Sequence, residues 1–349
     1  MTKTATSRQN DLDLLRIIAI IAVVIIHCIA GVVLTKPAGT MSWIAADIID
    51  SFMRWAVPIF IMISGSLLIR PQSYKRMGEF FKKRASRLLL PILAWPFIYV
   101  TASFLLTGKP IDLQALWTSY LLGAPGTVHL YFLFLIAGLY VLTPVISMYA
   151  ANTSKKQFAI TTAVVLLATV TWYALECSLP GHSPSMNIIS QGLPYVGYFM
   201  AGFLLKDVVV KRPIVPLAAF IASSGIIALL VSYSVSQGGI KNNGLFYYEY
   251  PTIFVMISSI TLFIASRGLY VRYADRLSKK AQVIITQLSA ATFGVYLIHI
   301  LILQILQKLT GLSTASLKAN LILIPATLLI SFGVSLLLLK QRYLKRLVS

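Results

Sequence analysis

The chain has 349 residues, 58% hydrophobic and only 11% charged, with a mean hydropathy of +0.82. This composition excludes a soluble globular domain and marks an all-α integral membrane protein of many spans. The formal net charge of +20 does not point to nucleic acid, because no stretch is long and polar enough to form a basic soluble domain.

Apolar windows of about 20 residues, the length that crosses roughly 30 Å of hydrocarbon, fall at 14–34, 44–69, 88–106, 129–149, 158–176, 188–205, 214–235, 250–268, 283–307 and 318–340. A single bundle of about ten transmembrane helices is expected over 1–349, with 1–13 a cytoplasmic N-terminal tail and 341–349 a basic cytoplasmic tail. Lys and Arg set the orientation. With the N-terminus inside, the inner segments and the inner boundary hold every Lys and Arg except outer Lys36, Lys109, Lys241, Lys308 and Lys318, and Arg54 within a span. Both termini are therefore expected in the cytoplasm.

The first span, LLRIIAIIAVVIIHCIAGVVL, is too long for a signal-peptide core and shows no clear small-residue cleavage site, so it is expected to remain as an anchor. It carries His27, a titratable ring in hydrocarbon and a functional suspect by default. Arg16 lies eleven residues earlier, which returns to within about 20° of the same helix face, roughly 16 Å away along the axis. Arg16 at the cytosolic edge suits phosphates as a planar fork. His27, as a neutral imidazole, suits a general base or nucleophile. The plainer reading makes Arg16 a topological anchor and His27 a structural histidine.

The second span, WIAADIIDSFMRWAVPIFIMISGSLLIR, places Asp47 and Asp50 one turn apart and pairs Asp50 with Arg54 at i, i+4, a spacing that neutralises the arginine in place. Asp50 or Arg54 could then orient His27 or stabilise an oxyanion, or the pair could be a shielded structural one. Ser64 and Gly65 lie nearer the cytosol, where glycine permits close helix approach. The inner loop that follows carries Lys75, Arg76, Lys82, Lys83, Arg84 and Arg87 within thirteen residues. That density suits a polyphosphate tail, and anionic membrane lipids are the alternative.

Gly108 to Thr127 is the longest outer connection, and IDLQALWTSYLL within it reads as an interfacial or re-entrant helix. His129 opens the fourth span near the outer surface, and His299 lies about two-thirds of the way out along the ninth. Both are read either as lining an outward cavity or as interhelical hydrogen-bonding groups. His182 is expected in solvent. Glu176 and Glu249, at outer helix boundaries, are acceptor ligands or interfacial caps. Cys28 and Cys177 show neither CxxC nor zinc spacing, so no disulfide framework and no metal site are expected. Walker, GxGxxG, GxSxG and HExxH motifs are absent, which disfavours an ATP-driven pump, a dinucleotide enzyme and an ordinary serine hydrolase.

Across nearly its whole length the sequence resembles the acyltransferase 3 family of membrane-bound acyltransferases. The resemblance is carried by Arg16 and His27 in an R-x10-H arrangement, VPIFIMISGSLL, KKRASRLLLP, HLYFLFLIAGLYVLTP, YVGYFMAGFLL and ATFGVYLIH. It is nearest to the stand-alone members that O-acetylate surface polysaccharides such as enterobacterial common antigen. One departure is Tyr131, where many members carry Trp.

The resemblance implies O-acyl transfer, most simply O-acetyl transfer, from cytosolic acyl-coenzyme A to a hydroxyl of a cell-surface glycan or its lipid-linked precursor at the inner membrane. Acetyl-coenzyme A would be the cosubstrate, with no metal. Arg16 and His27 take the family's essential positions, and Arg84 and Arg87 its basic inner motif. Lys83 and Ser64 are expected beside the cosubstrate, and His129, Tyr131, Glu249 and His299 beside the acceptor. His27 acts either as general base or as a transient acyl carrier. A glycan or lipid transporter, with the same charges lining a path, is the alternative from another class.

Overall fold

The computed structural model describes residues 5–108, 114, 117, 128–178, 188–240 and 244–348. The expected helix within Gly108–Thr127 and the position of His182 lie mostly or wholly outside them. The described chain runs through α1 (Ala5–Thr35), α2 (Met41–Ser51), α3 (Ala56–Leu68), α4 (Gln72–Lys75), α5 (Met77–Thr107), α6 (Tyr131–Asn152), α7 (Lys155–Ser178), α8 (Ile188–Leu205), α9 (Ile214–Gly238), α10 (Ile253–Tyr273), α11 (Lys279–Thr310), α12 (Leu317–Lys340) and α13 (Lys345–Val348). No strand occurs among the described residues. The protein is an all-α, multi-pass membrane protein.

Among the described residues nine helical segments are long and apolar enough to cross a membrane, against ten spans expected. The expected sixth span is present as α8, but its described apolar stretch, Pro194–Leu205, is shorter. α1 is central, packing on α2, α3, α11 and α12. Its side chains Ile20, Val24 and Cys28 are buried at 0% exposure.

The second span is not one helix. α2 ends at Ser51, a turn covers residues 52–55, and α3 starts at Ala56. Pro58 accounts for the break, because it has no N–H to donate to the carbonyl of Arg54 and its ring crowds that carbonyl. In the first turn of α3 the same proline costs nothing, since N–H groups there have no intrahelical partner. Trp55 Nε1 instead donates to the Phe52 carbonyl at 2.5 Å.

α3 and α8 cross in near backbone contact. A Cβ added to Gly65 would collide with the Phe199 carbonyl, and one added to Gly202 with the Met62 carbonyl. Only glycine allows this approach, which draws the SGS segment of α3 onto the YFMAGF segment of α8.

The basic segment expected as a loop is helical from Met77, so Lys82, Lys83, Arg84 and Arg87 sit on an extension of α5. No glycine or proline lies between Glu79 and Leu90 to interrupt it, and α5 ends at Gly108 with φ 70°, the left-handed cap glycine tolerates. The segment expected as an N-terminal tail is helical from Ala5. Asp11 pairs with Arg267 of α10 at 3.2 Å, and Ser289 Oγ of α11 donates to Asp13 at 2.7 Å. At the other terminus Trp95 Nε1 donates to the Leu347 carbonyl at 2.9 Å, and Val348 is buried. These contacts gather the starts of α1 and α11 and the end of α10 at one end of the bundle.

Candidate active site

Three histidines far apart in sequence meet inside the bundle. His27 comes from α1, His129 from the turn preceding α6, and His299 from α11. The ring centroids of His27 and His299 are 5.1 Å apart, those of His129 and His299 5.3 Å, and those of His27 and His129 6.2 Å. His299 is fully buried and His129 is 5% exposed, whereas His27 is only partly buried. His27 is therefore the least buried of the three rings. The sequence reading had set His129 and His299 nearer the outer surface, apart from His27; hydropathy gives the length of a helix and not which of its faces meets which neighbour.

Local bonds fix the two deeper rings. His299 Nδ1 lies 2.7 Å from the Tyr296 carbonyl and 3.1 Å from that of Val295. Tyr296 Oη donates to the His129 carbonyl, and the His129 ring meets the Tyr99 ring edge to face at 4.9 Å. Tyr99 Oη donates to the Leu297 carbonyl at 2.8 Å, tying α5 to α11. The Nε2 atoms of His129 and His299 are buried without a hydrogen-bond partner. Among the described residues no group of three His, Cys, Asp or Glu side chains is arranged to hold a metal ion.

Arg54 occupies the break between α2 and α3, within electrostatic range of His27. It forms an ion pair with Asp50, and its guanidinium carbon stands 4.0 Å from the centre of the Tyr248 ring. The Asp50 carboxylate is thus engaged by the arginine rather than by the imidazole. Asp50 Oδ1 and Arg54 Nε remain without hydrogen-bond partners. Asp47 is saturated: Tyr248 Oη donates to it at 2.5 Å, Ser232 Oγ at 2.7 Å and Ser51 Oγ at 3.3 Å, pinning α2 to α9.

Glu249 is exposed and lies within electrostatic range of Arg54 and Asp50. Tyr131 shares hydroxyl contacts with Tyr195 and Tyr250, and Tyr250 is in range of Arg54. The flank of the arginine is therefore lined with hydroxyls and carboxylates, the groups that hydrogen-bond a polyol.

At the end of the bundle that holds the start of α1, Arg16 lines a cleft of about 200 Å³ with Leu12, Asp13 and Leu67. Asp13 holds Arg16 Nη1 at 2.9 Å. Ser64 lies one turn from Leu67 on α3, half-buried, its hydroxyl donating to the Phe60 carbonyl at 2.9 Å. The Arg84 guanidinium is 5.5 Å from the centres of both the Phe80 and Tyr140 rings. Tyr140 is also within electrostatic range of Arg16 and Arg87, so it joins the first span to the basic helix. Lys83 and Arg87 are exposed.

The sequence reading missed Asp13, Tyr140 and Tyr248. Asp13 did carry a signal, its i, i+3 spacing to Arg16; nothing in the sequence singles out the two tyrosines among seventeen. Residues 9–340 match the family model described as an acyltransferase domain. No curated protein and no solved structure matches the chain.

Proposed function

The chain belongs to this acyltransferase family, and from that premise we propose that it is a membrane O-acyltransferase of the cytoplasmic membrane. In this reading it moves an acyl group, most simply acetyl, from cytosolic acyl-coenzyme A to a hydroxyl of a cell-surface glycan or its lipid-linked precursor. The observation that carries the reading is the placement of His27. It is a partly exposed imidazole within a buried cluster, with the cleft that Arg16 lines about three helical turns away on the same helix.

The inner cations suit the donor's phosphates: Arg16 presents a planar fork into the cleft and Arg84 stands across Tyr140 from it. The acceptor hydroxyl would come from the side of Tyr131, Glu249 and Arg54. His27 takes the hydroxyl proton as the oxygen bonds to the thioester carbonyl carbon. The C–S bond breaks, and the imidazolium returns the proton to the departing thiolate. Arg54 is the cation placed to offset negative charge on the carbonyl oxygen.

Mass spectrometry of the surface glycan from cells with the native chain, without it, and with His27→Ala tests the function. A mass increment of one acyl group per modified sugar, lost in the last two, is expected. An unmodified glycan in all three, together with glycan flux into vesicles bearing the native chain, would replace this reading with a transporter.

A further inference from the structure

We infer that His299 is the positioning residue for His27: its Nε2 lone pair accepts an N–H from His27 and so holds that ring with the other nitrogen turned toward the reacting hydroxyl. The inference rests on the reading of His27 as the base of an acyl transfer.

The tautomer of His299 follows from its neighbours. Carbonyl oxygens only accept, and His299 Nδ1 lies within reach of two of them, Tyr296 at 2.7 Å and Val295 at 3.1 Å. The hydrogen therefore sits on Nδ1, and in the neutral ring Nε2 carries the lone pair. That atom is buried without a hydrogen-bond partner in a fully buried side chain. An unpaired buried acceptor is destabilising, which makes it a group whose retention calls for a use.

His27 is the partner in reach. The two rings are 5.1 Å apart and inclined by 48°, a centroid spacing at which ring nitrogens turned toward each other come within hydrogen-bond distance. His27 is the less confined of the two, so a small ring rotation aligns its N–H with the lone pair, as catalytic hydrogen bonds tighten when substrate is bound. The other groups around it do not compete for this place. Asp50 holds Arg54 through Oδ2 and is not among the groups acting electrostatically on His27, which are His299 and Arg54; Arg54 has no acceptor atom, and His129 is more distant at 6.2 Å.

The pair does what the orienting carboxylate does in a hydrolase triad, without a charge. While His27 carries the hydroxyl proton, between C–O bond formation and loss of the thiolate, its second N–H remains bonded to His299. When the thiolate takes the proton back, both rings return to neutral. The proton is borrowed and returned, and no further reactant is needed.

The test is steady-state acyl transfer by the full chain in detergent with acetyl-coenzyme A as donor, comparing His299→Leu and His299→Gln with the native protein. Glutamine sets an amide oxygen near the place of Nε2. Leucine is expected to lower kcat at least about 100-fold with the donor KM unchanged, and glutamine to restore at least about a tenth of native kcat. Equal losses in both variants, or native kcat in the leucine variant, would overturn the inference. Histidine-selective 15N NMR of the native chain gives a second reading that needs no variant: a His299 signal protonated at Nδ1 is expected, and one protonated at Nε2 contradicts the proposal. Absence of transfer by the native chain would sink the acyltransferase reading, and the tautomer measurement would still decide whether His299 Nε2 has a lone pair to offer His27: protonation at Nε2 overturns the inference whatever the activity.

Discussion

Arg54, in the break between α2 and α3, reaches back to form an ion pair with Asp50 of α2, and both charges lie largely out of solvent, with side-chain exposures of 16% and 1%. Neither side chain could hold its charge there alone. Replacing Arg54 with leucine is expected to lower stability by roughly 3–5 kcal/mol, the cost of stranding one buried ion. The double change Asp50→Leu with Arg54→Leu should recover much of that loss, because no ion remains unpaired. Thermal unfolding in detergent reads both. If the folded double variant also turns over at a near-native rate, Arg54 has no part in stabilising the oxyanion.

The crossing of α3 and α8 gives a prediction about packing alone. Gly65→Ala and Gly202→Ala each force a methyl group into the carbonyl of the facing helix, and overpacking of this kind costs typically about 1–3 kcal/mol. Gly138→Ala is the control, since a Cβ there meets nothing within 4 Å and alanine is the better helix former. Melting midpoints should fall for the first two and hold or rise for the third. Three equal midpoints would remove the close crossing.

Much of this fold was legible in composition, because a membrane leaves the backbone little choice beyond helices of sufficient length. Each of the ten expected spans meets helix in the structure, the second as two helices, and nine are long and apolar enough among the described residues, α8 falling short. The break at residues 52–55 was also written in the sequence, at Pro58 rather than within the turn, and a hydropathy window averages over a single proline. The site was legible only in pieces. Arg16 and His27 share one helix, so a 100° period relates them. His27, His129 and His299 come from three elements, and no periodicity tells which helix faces meet. Asp13 was hidden by the expectation of a tail, since an acidic residue next to a span reads as solvated until its bonds to Ser289 and Arg16 are seen.

The cleft at Arg16 separates binding from chemistry. Arg16→Ala removes a charged hydrogen-bonding group of the kind worth about 1.5–3 kcal/mol, so the donor KM should rise at least about tenfold while kcat at saturation changes little. Asp13→Asn loosens the hold on Arg16 without removing the cation and should give a smaller rise. Donor saturation curves check both. A loss confined to kcat in Arg16→Ala would place this arginine in the chemical step instead.

The central claim is that an imidazole inside the membrane takes the proton of a hydroxyl as it attacks a thioester whose charged end stays at the inner rim. Free-thiol release from acetyl-coenzyme A by the purified chain, supplied with an acceptor glycan, measures it most directly. Native protein should release thiol in step with glycan acylation, and His27→Ala, folded by its melting profile, should fall at least about 100-fold even at saturating donor. Thiol release by His27→Ala at the native rate would contradict the account.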